Sequence, residues 1–348
     1  MSTPAQKYLR PTAPVEDPAN WLAEDVQRDQ SWAIELEAAE VRELESAVEA
    51  VLSAGKEPCA FSREDFNLPT LAPKVLDWMD QVENGRGYVL IRGIDPKAYD
   101  PRGLNALYWG VAVHCGLPIS QNAKGDLIGH VKDQGNDYQS NNVRGYTTSA
   151  ELRAHCDAAD VVGLLCKHPS KSGGESQIAS SVSVFNHILV EHPEFVDPLL
   201  EGFHFDLRGE GVTDNPDEVT RHRVPIFSWY EGRLSCRYNG KTIIDGMRKA
   251  GQPLSGVALD AVKAVGELAM SKPFRYDMVF RQGDIQLLSN HSVLHSRAAF
   301  EDYPEPERKR DLLRLWLNVR EGRPLVPEFA ERLNTGPRGG VHVREAAE

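Results

Sequence analysis

The sequence predicts a mainly β with α fold: a sandwich or barrel of short strands, with helices before it and a helical insert within it. The first sign is texture. From about residue 125 onward, short apolar runs alternate with clusters of Gly, Pro, Asn and Asp, as in DLIGHV, DVVGLLC, SQIASSV, RVPIF, RLSCRY, DIQLLS and LLRLWLNV. Many short strands joined by turns read this way. The second sign is residues 18–53, rich in Ala, Glu and Leu, where Val41, Leu44, Val48 and Val51 recur at helical spacing and line one face. The third is that helical texture returns later only at 183–193 and 254–270.

In chain order, Gly55 is a fitting stop for the N-terminal helix. A second helix is expected over 72–82, followed by Gly85 and Gly87 as punctuation and by the buried strand GYVLIRG at 87–93. Another helix, 103–114, ends at Cys115-Gly116-Leu117-Pro118. No repeat of fixed period and no low-complexity tract is present. The organisation expected is an N-terminal helical region over 1–84, a core over 85–322 with a helical insert near 240–272, and a C-terminal tail over 323–348. The last dozen residues, with GPRGG and an acidic end, are expected to be loose.

Composition narrows the function. The chain has 348 residues, with 39 Lys+Arg against 51 Asp+Glu, a net charge of −12. Nucleic acid and anionic membranes both demand a basic face, so neither is an expected partner. The chain is 41% hydrophobic and 26% charged, the balance of a folded and not a disordered protein. Apolar runs such as 161–166 fall far short of the ~20 residues a membrane span needs. The first residues lack the apolar core of a signal peptide, and a cytoplasmic location is the expectation. Cys59, Cys115, Cys156, Cys166 and Cys236 form no CxxC pair and no zinc pattern, and read as reduced, mostly buried thiols.

The chemistry begins at AHCDAAD. His155 and Asp157 are two apart, and in a strand that spacing puts both side chains on one face. One imidazole and one carboxylate are two members of a facial triad for ferrous iron. The second His must come from elsewhere, and SNHSVLHSR offers His291 and His295. The basic run ERKRDLLRLWL follows, with Arg310, Leu312, Arg314 and Trp316 on one face and Asp311, Leu313, Leu315 and Leu317 on the other. Arginines among apolar neighbours are costly unless each meets an anion, and the guanidinium fork matches a carboxylate. Asn141, Asn142 and Arg144 sit where a loop could line the pocket, or could be turn residues.

Taken in order, HCD at 155–157, KSGGES at 171–176, NHSVLHSR at 290–297 and the pair Arg310 and Arg314 resemble the TauD/TfdA family of Fe(II)- and 2-oxoglutarate-dependent dioxygenases, over roughly residues 85–320. The resemblance implies a double-stranded β-helix (jelly roll) core. It implies iron bound by His155, Asp157 and His295, and a 2-oxoglutarate cosubstrate whose distal carboxylate meets Ser176 and Arg310. It also implies that Arg314 faces the substrate anion, although a structural ion pair is equally open to it. Fourteen residues separate His295 from Arg310, with EDYPEPE inserted, which leaves Arg308 as a rival. The reaction implied consumes O2 and 2-oxoglutarate, releases succinate and CO2, and hydroxylates an unactivated C–H of a small acidic substrate. Family members oxidise sulfonates, aryloxy acids, alkyl sulfates, betaines and amino acids, a range that does not single out one substrate.

Two other classes stay open at this level: a non-catalytic metal- or ligand-binding protein on the same β-scaffold, and a zinc hydrolase using the same three residues. A homo-oligomer also stays open, because the N-terminal helix can pack on the core or on a second subunit. Arg297, Arg308, Lys309, Arg310, Arg314 and Arg320 are concentrated in one segment of an acidic chain. A small cationic pocket, sized for two small acids, is expected inside it.

Overall fold

Two sheets, antiparallel except for one parallel edge strand, face each other, and helices cover both outer sides. The computed structural model describes residues 10–135, 145–213 and 215–344; Asn141, Asn142 and Arg144 lie outside them. The larger sheet has seven strands, with Ala33–Glu35, Tyr88–Arg92, Ile285–Ser289, Val161–His168, Asp311–Asn318 and Leu117–Ile119 side by side and Ile128–Val131 also pairing with Asp311–Asn318. The smaller sheet orders Tyr276–Met278, Ser176–Ser180, Val293–Arg297 and Leu152–His155. The fold is therefore mixed α/β, and helices form a larger part of it than a mainly β reading allows.

Alternation along each strand decides what each face meets. Val89, Ile91, Leu165, Leu287, Leu313 and Leu315 point outward onto the helices Ala38–Ser53, Leu71–Glu83 and Pro101–Cys115. Tyr88, Leu90, Val162, Leu288 and Trp316 point inward and meet Ile178, Met278 and Val293 of the smaller sheet. The outer side of that sheet, through Ala154, Ala179 and Leu294, packs on the helices Ser181–Glu191 and Gly256–Met270. The helix Gly256–Met270 matches the expected helical stretch 254–270, whereas the helix Gly240–Lys249 before it lies outside the stretches of helical texture.

Some expectations need correction. Residues 18–53 do not form one helical stretch: a helix Ala23–Arg28 is followed by the strand Ala33–Glu35, parallel to Tyr88–Arg92, and only then by the helix Ala38–Ser53. Trp32 is the reason. Its ring is buried against Tyr88 and Tyr276, and its backbone carbonyl accepts the Leu90 N–H, so tertiary contacts override helical composition. Of RVPIF, only Phe227 enters a strand, Phe227–Tyr230, while Val224 forms an isolated bridge with Phe203.

The end of the chain is not loose through 337–344. Arg338 pairs with buried Asp160, Val341 is buried, and its N–H donates to Ser120 C=O. All five cysteines are free and four are buried. Among the described residues no helix is long and apolar enough to cross a membrane.

Candidate metal and cosubstrate site

The smaller sheet sets two histidines directly opposite each other. His155 ends the strand Leu152–His155 and pairs in register with His295 of Val293–Arg297, their ring centroids 4.3 Å apart. Asp157 completes a cluster in which one ligand atom from each of the three residues lies within 4.8 Å of the others. Asp157 Oδ1 is 3.9 Å from His155 Nε2, and Oδ2 is 3.8 Å from His295 Nε2.

Strand alternation is not what aims Asp157. The strand stops at His155, where the Cys156 N–H donates to Tyr238 C=O and the Asp157 N–H donates to Asn290 Oδ1 at 2.9 Å. A side chain from the segment that carries His295 thus fixes the backbone of Asp157 where its carboxylate faces the histidines.

Protonation suits a divalent cation. His155 Nδ1–H donates to Arg153 C=O at 2.9 Å, which leaves Nε2 as the lone-pair nitrogen facing the cluster. Burial holds His155 below its ordinary range, and burial together with His155 brings His295 to about 3. Burial pushes Asp157 upward, but Arg314, the histidines and the Trp316 N–H outweigh it and hold the carboxyl at about 2. Two neutral imidazoles and one carboxylate therefore face each other at neutral pH, the donor set a ferrous ion takes.

Around Asp157, Trp316 Nε1–H donates to Oδ2 at 3.0 Å and Arg314 Nη1 stands 3.9 Å from the same oxygen. Arg314 is itself gripped: Nε–H donates to Gln121 Oε1 at 2.8 Å, and its guanidinium stacks on Tyr146 and Trp316. Gln121 returns a hydrogen bond to Arg314 C=O. Strand periodicity already put Arg314 and Trp316 on one face; nothing in the sequence marked Gln121.

His291 is elsewhere. Its Nε2 lies 2.9 Å from Asp160 Oδ1 in a buried ion-paired cluster, away from His155. That leaves His295 as the second histidine of the cluster.

Arg310 and Arg308 also part company. Arg308 lies in the exposed turn Pro306–Arg308, over the Tyr303 ring and 3.5 Å from Glu305. Arg310 is buried, with its guanidinium 5.0 Å over Phe300 and only a 3.5 Å contact from Nη1 to Val131 C=O. Its backbone N–H donates to Asp302 Oδ1 at 2.8 Å, but among the described residues no carboxylate pairs with its guanidinium. Burial brings it to about 10, still cationic at neutral pH.

The double glycine explains how the chain approaches this arginine. Gly173 and Gly174 both have positive φ (69° and 75°). A Cβ on Gly173 would stand 2.2 Å from Ala299 O, and one on Gly174 3.3 Å from Arg310 Nε. Two residues on, Ser176 is buried and its hydroxyl donates to Gln286 Oε1 at 3.2 Å. Gln286 is a buried polar side chain that the sequence did not single out.

A cleft of about 830 Å³ opens over His155, Asp157, Arg314 and Trp316, walled on the far side by the segment 237–249. Eight Lys or Arg and six Asp or Glu line it, so the cleft is cationic inside a chain of charge −12.

Comparison with known proteins agrees with this geometry. The family described as "Taurine catabolism dioxygenase TauD, TfdA family" matches residues 52–316. The chain belongs to the TauD/TfdA family. FR-33289 synthase from Streptomyces rubellomurinus is 31% identical over 92% of this chain and 94% of its own length. Among solved structures, an asparagine oxygenase in complex with Fe(II), 3-hydroxyasparagine and succinate covers 82% of this chain and 93% of that one, with a TM-score of 0.65 at 15% identity. The non-heme iron oxygenase OrfP, in complex with Fe and alpha-ketoglutaric acid, covers the same shares with a TM-score of 0.57 at 18% identity. This TauD/TfdA protein is an Fe(II)- and 2-oxoglutarate-dependent dioxygenase. That sets aside the non-catalytic and zinc-hydrolase readings.

Proposed function

We propose that the enzyme hydroxylates a C–H bond of a small organic acid held in the cleft over His155, Asp157 and His295, which are its iron ligands. The carrying observation is that cluster: two neutral imidazole nitrogens and an ionised carboxylate within 4.8 Å, beside an open cleft. Iron(II) bound there supplies the oxidising chemistry that couples 2-oxoglutarate decarboxylation to C–H oxidation. The chain's own residues position the partners and limit water access.

Arg310 and Ser176 hold the distal carboxylate of 2-oxoglutarate. A buried guanidinium with no carboxylate partner is costly until an anion arrives, and its planar fork accepts a carboxylate through two parallel hydrogen bonds. Exposed Arg308 lacks that need. Arg314 borders the substrate and steadies Asp157. The asparagine oxygenase holds a hydroxylated amino acid, which speaks for an amino acid or a similar small acid as substrate.

The facing sheets support a double-stranded β-helix (jelly roll) core. The chain works as one functional unit: within 1–84 the described residues from 10 on pack on the core, 85–322 carry the site, and of the tail 323–348 the described part to 344 packs back on it.

Anaerobic titration tests the reading. Adding 2-oxoglutarate to the Fe(II)-loaded protein is expected to raise a weak visible charge-transfer band. Arg310→Met is expected to raise the half-saturating 2-oxoglutarate concentration at least about tenfold, and Arg308→Met to leave it unchanged. A folded wild-type protein without the band overturns the assignment.

A further inference from the structure

Arg237, like Arg310, is a buried arginine whose guanidinium has no carboxylate partner among the described residues. It follows the strand Arg233–Cys236, and its immediate neighbours are tied to the metal-bearing segments. The Cys236 N–H donates to His291 C=O, Tyr238 C=O accepts the Cys156 N–H, and Asn239 forms a bridge with His155. The Arg237 backbone N–H itself donates to Ile226 C=O. Its place relative to the iron ligands is therefore fixed by backbone hydrogen bonds on both sides.

The residue is 8% exposed and lines the same cleft as His155 and Asp157. Its guanidinium lies 5.4 Å over the Phe205 ring, and Nη1 donates to Glu331 C=O at 2.9 Å. The other guanidinium nitrogens have no protein partner among the described residues, and neither is sealed away from the cleft. Among the described residues no carboxylate pairs with the guanidinium.

Other buried arginines differ. Arg332 is paired with Asp160, Arg323 is engaged by the carbonyls of Leu234 and Glu83, and Arg314 is gripped by Gln121 beside Asp157. Arg310 is like Arg237 in lacking a carboxylate, but it lies beside Gly174 and does not line the cleft. A desolvated guanidinium whose free donors face a cavity is an anion receptor by construction, because only an incoming anion repays its lost hydration.

We propose that Arg237 anchors the acidic group of the primary substrate, so that an oxyanion sits on its free donors while the carbon to be oxidised reaches the His155–Asp157–His295 cluster. Carboxylate, sulfonate and phosphonate share the required chemistry: two oxygens able to accept a fork of N–H donors. This rests on the function proposed above and adds a specificity residue at the far wall of the cleft.

The test uses the full chain loaded with Fe(II) and 2-oxoglutarate, without oxygen, and calorimetric titration with butyrate, propanesulfonate, propylphosphonate and uncharged 1-propanol. At least one anion is expected to bind the wild type and bind Arg237→Gln at least about tenfold more weakly, with Arg237→Lys in between. The same variants are expected to keep their Fe(II) and 2-oxoglutarate affinities.

Equal anion affinity in wild type and Arg237→Gln overturns the proposal. So does a wild type that takes up Fe(II) and 2-oxoglutarate but none of the three anions. If neither Arg237→Gln nor Arg237→Lys folds, Arg237 is part of the scaffold and the proposal also fails. A wild type that takes up no Fe(II) or 2-oxoglutarate instead overturns the function on which this rests.

Discussion

Two clusters of Asp and His stand side by side, drawn from the same two chain segments, and they behave as opposites. His155, Asp157 and His295 form one; Asp160 and His291, a few residues along each segment, form the other. In the second, every oxygen of Asp160 is used. Oδ1 accepts from His291 Nε2 and Arg332 Nη2, and Oδ2 accepts from the Val319 N–H and Arg338 Nη1. In the first, the imidazole Nε2 atoms stand 3.8 and 3.9 Å from carboxylate oxygens, at no hydrogen-bonding distance. The same residue types serve as a scaffold where their donors and acceptors are matched, and as a ligand site where they are left facing a gap.

The contrast breaks hardest at Asp157. Asp157→Ala is expected to abolish 2-oxoglutarate-dependent succinate formation while moving the thermal midpoint by only a few degrees, because the carboxylate has little role in packing. Unfolding of this variant would place Asp157 in the scaffold and end the distinction.

Asp160→Ala should do the reverse. Removing it leaves Arg332 buried and unpaired, and the unfolding free energy is expected to fall by about 3–5 kcal/mol in denaturant titration. Iron affinity measured below the transition should stay within about threefold, since no ligand contact is lost. A fully stable variant with lost iron affinity contradicts this division.

Trp316→Phe sharpens the boundary between the clusters. Its indole N–H holds Asp157 Oδ2 without being a ligand. Fe(II) affinity is expected to drop about tenfold, with stability changed by only about 1 kcal/mol. Unchanged affinity would mean that Asn290 and Arg314 suffice to orient the carboxylate.

The smallest effect is in pH. Burial holds His291 at about 4, against an ordinary value of 6.5. Because the folded value is lower, the unfolded chain takes up the proton first, so this group costs nothing above 6.5 and erodes stability progressively between 6.5 and about 4. His291→Gln is expected to flatten the stability–pH slope in that window by up to about 1.4 kcal/mol per pH unit. An unaltered slope would show that other buried histidines carry the acid sensitivity.

Much of this was legible in one dimension. The helix Leu71–Glu83, the strand Tyr88–Arg92 and the helix Gly256–Met270 follow from local periodicity, and the structure has them within a few residues of the expected bounds. His155 and Asp157 were marked by their spacing. Their shared aim, however, comes from Asn290 and not from a continuing strand. Choosing between Arg308 and Arg310, or between His291 and His295, was beyond strand alternation. Each pair differs by an even number of residues, or lies beside a turn where the alternation ends. Gln121, Gln286 and Arg237 gave no signal, because a polar residue in a short strand or loop looks alike whether it faces water or a cavity.

The sequence by itself determined the chemical class and the donor types: a histidine–aspartate pair, a later histidine, and arginines in an acidic chain. Those depend on residue identity and order, which are local properties. Tertiary structure alone decided which donors stay unsatisfied, because satisfaction depends on partners from distant parts of the chain. Arg332 and Arg338 reach back to consume Asp160, while the opposed strands of His155 and His295 hold two imidazoles beside Asp157 without letting them bond to it. That difference in partners, and not in composition, separates the scaffold from the site.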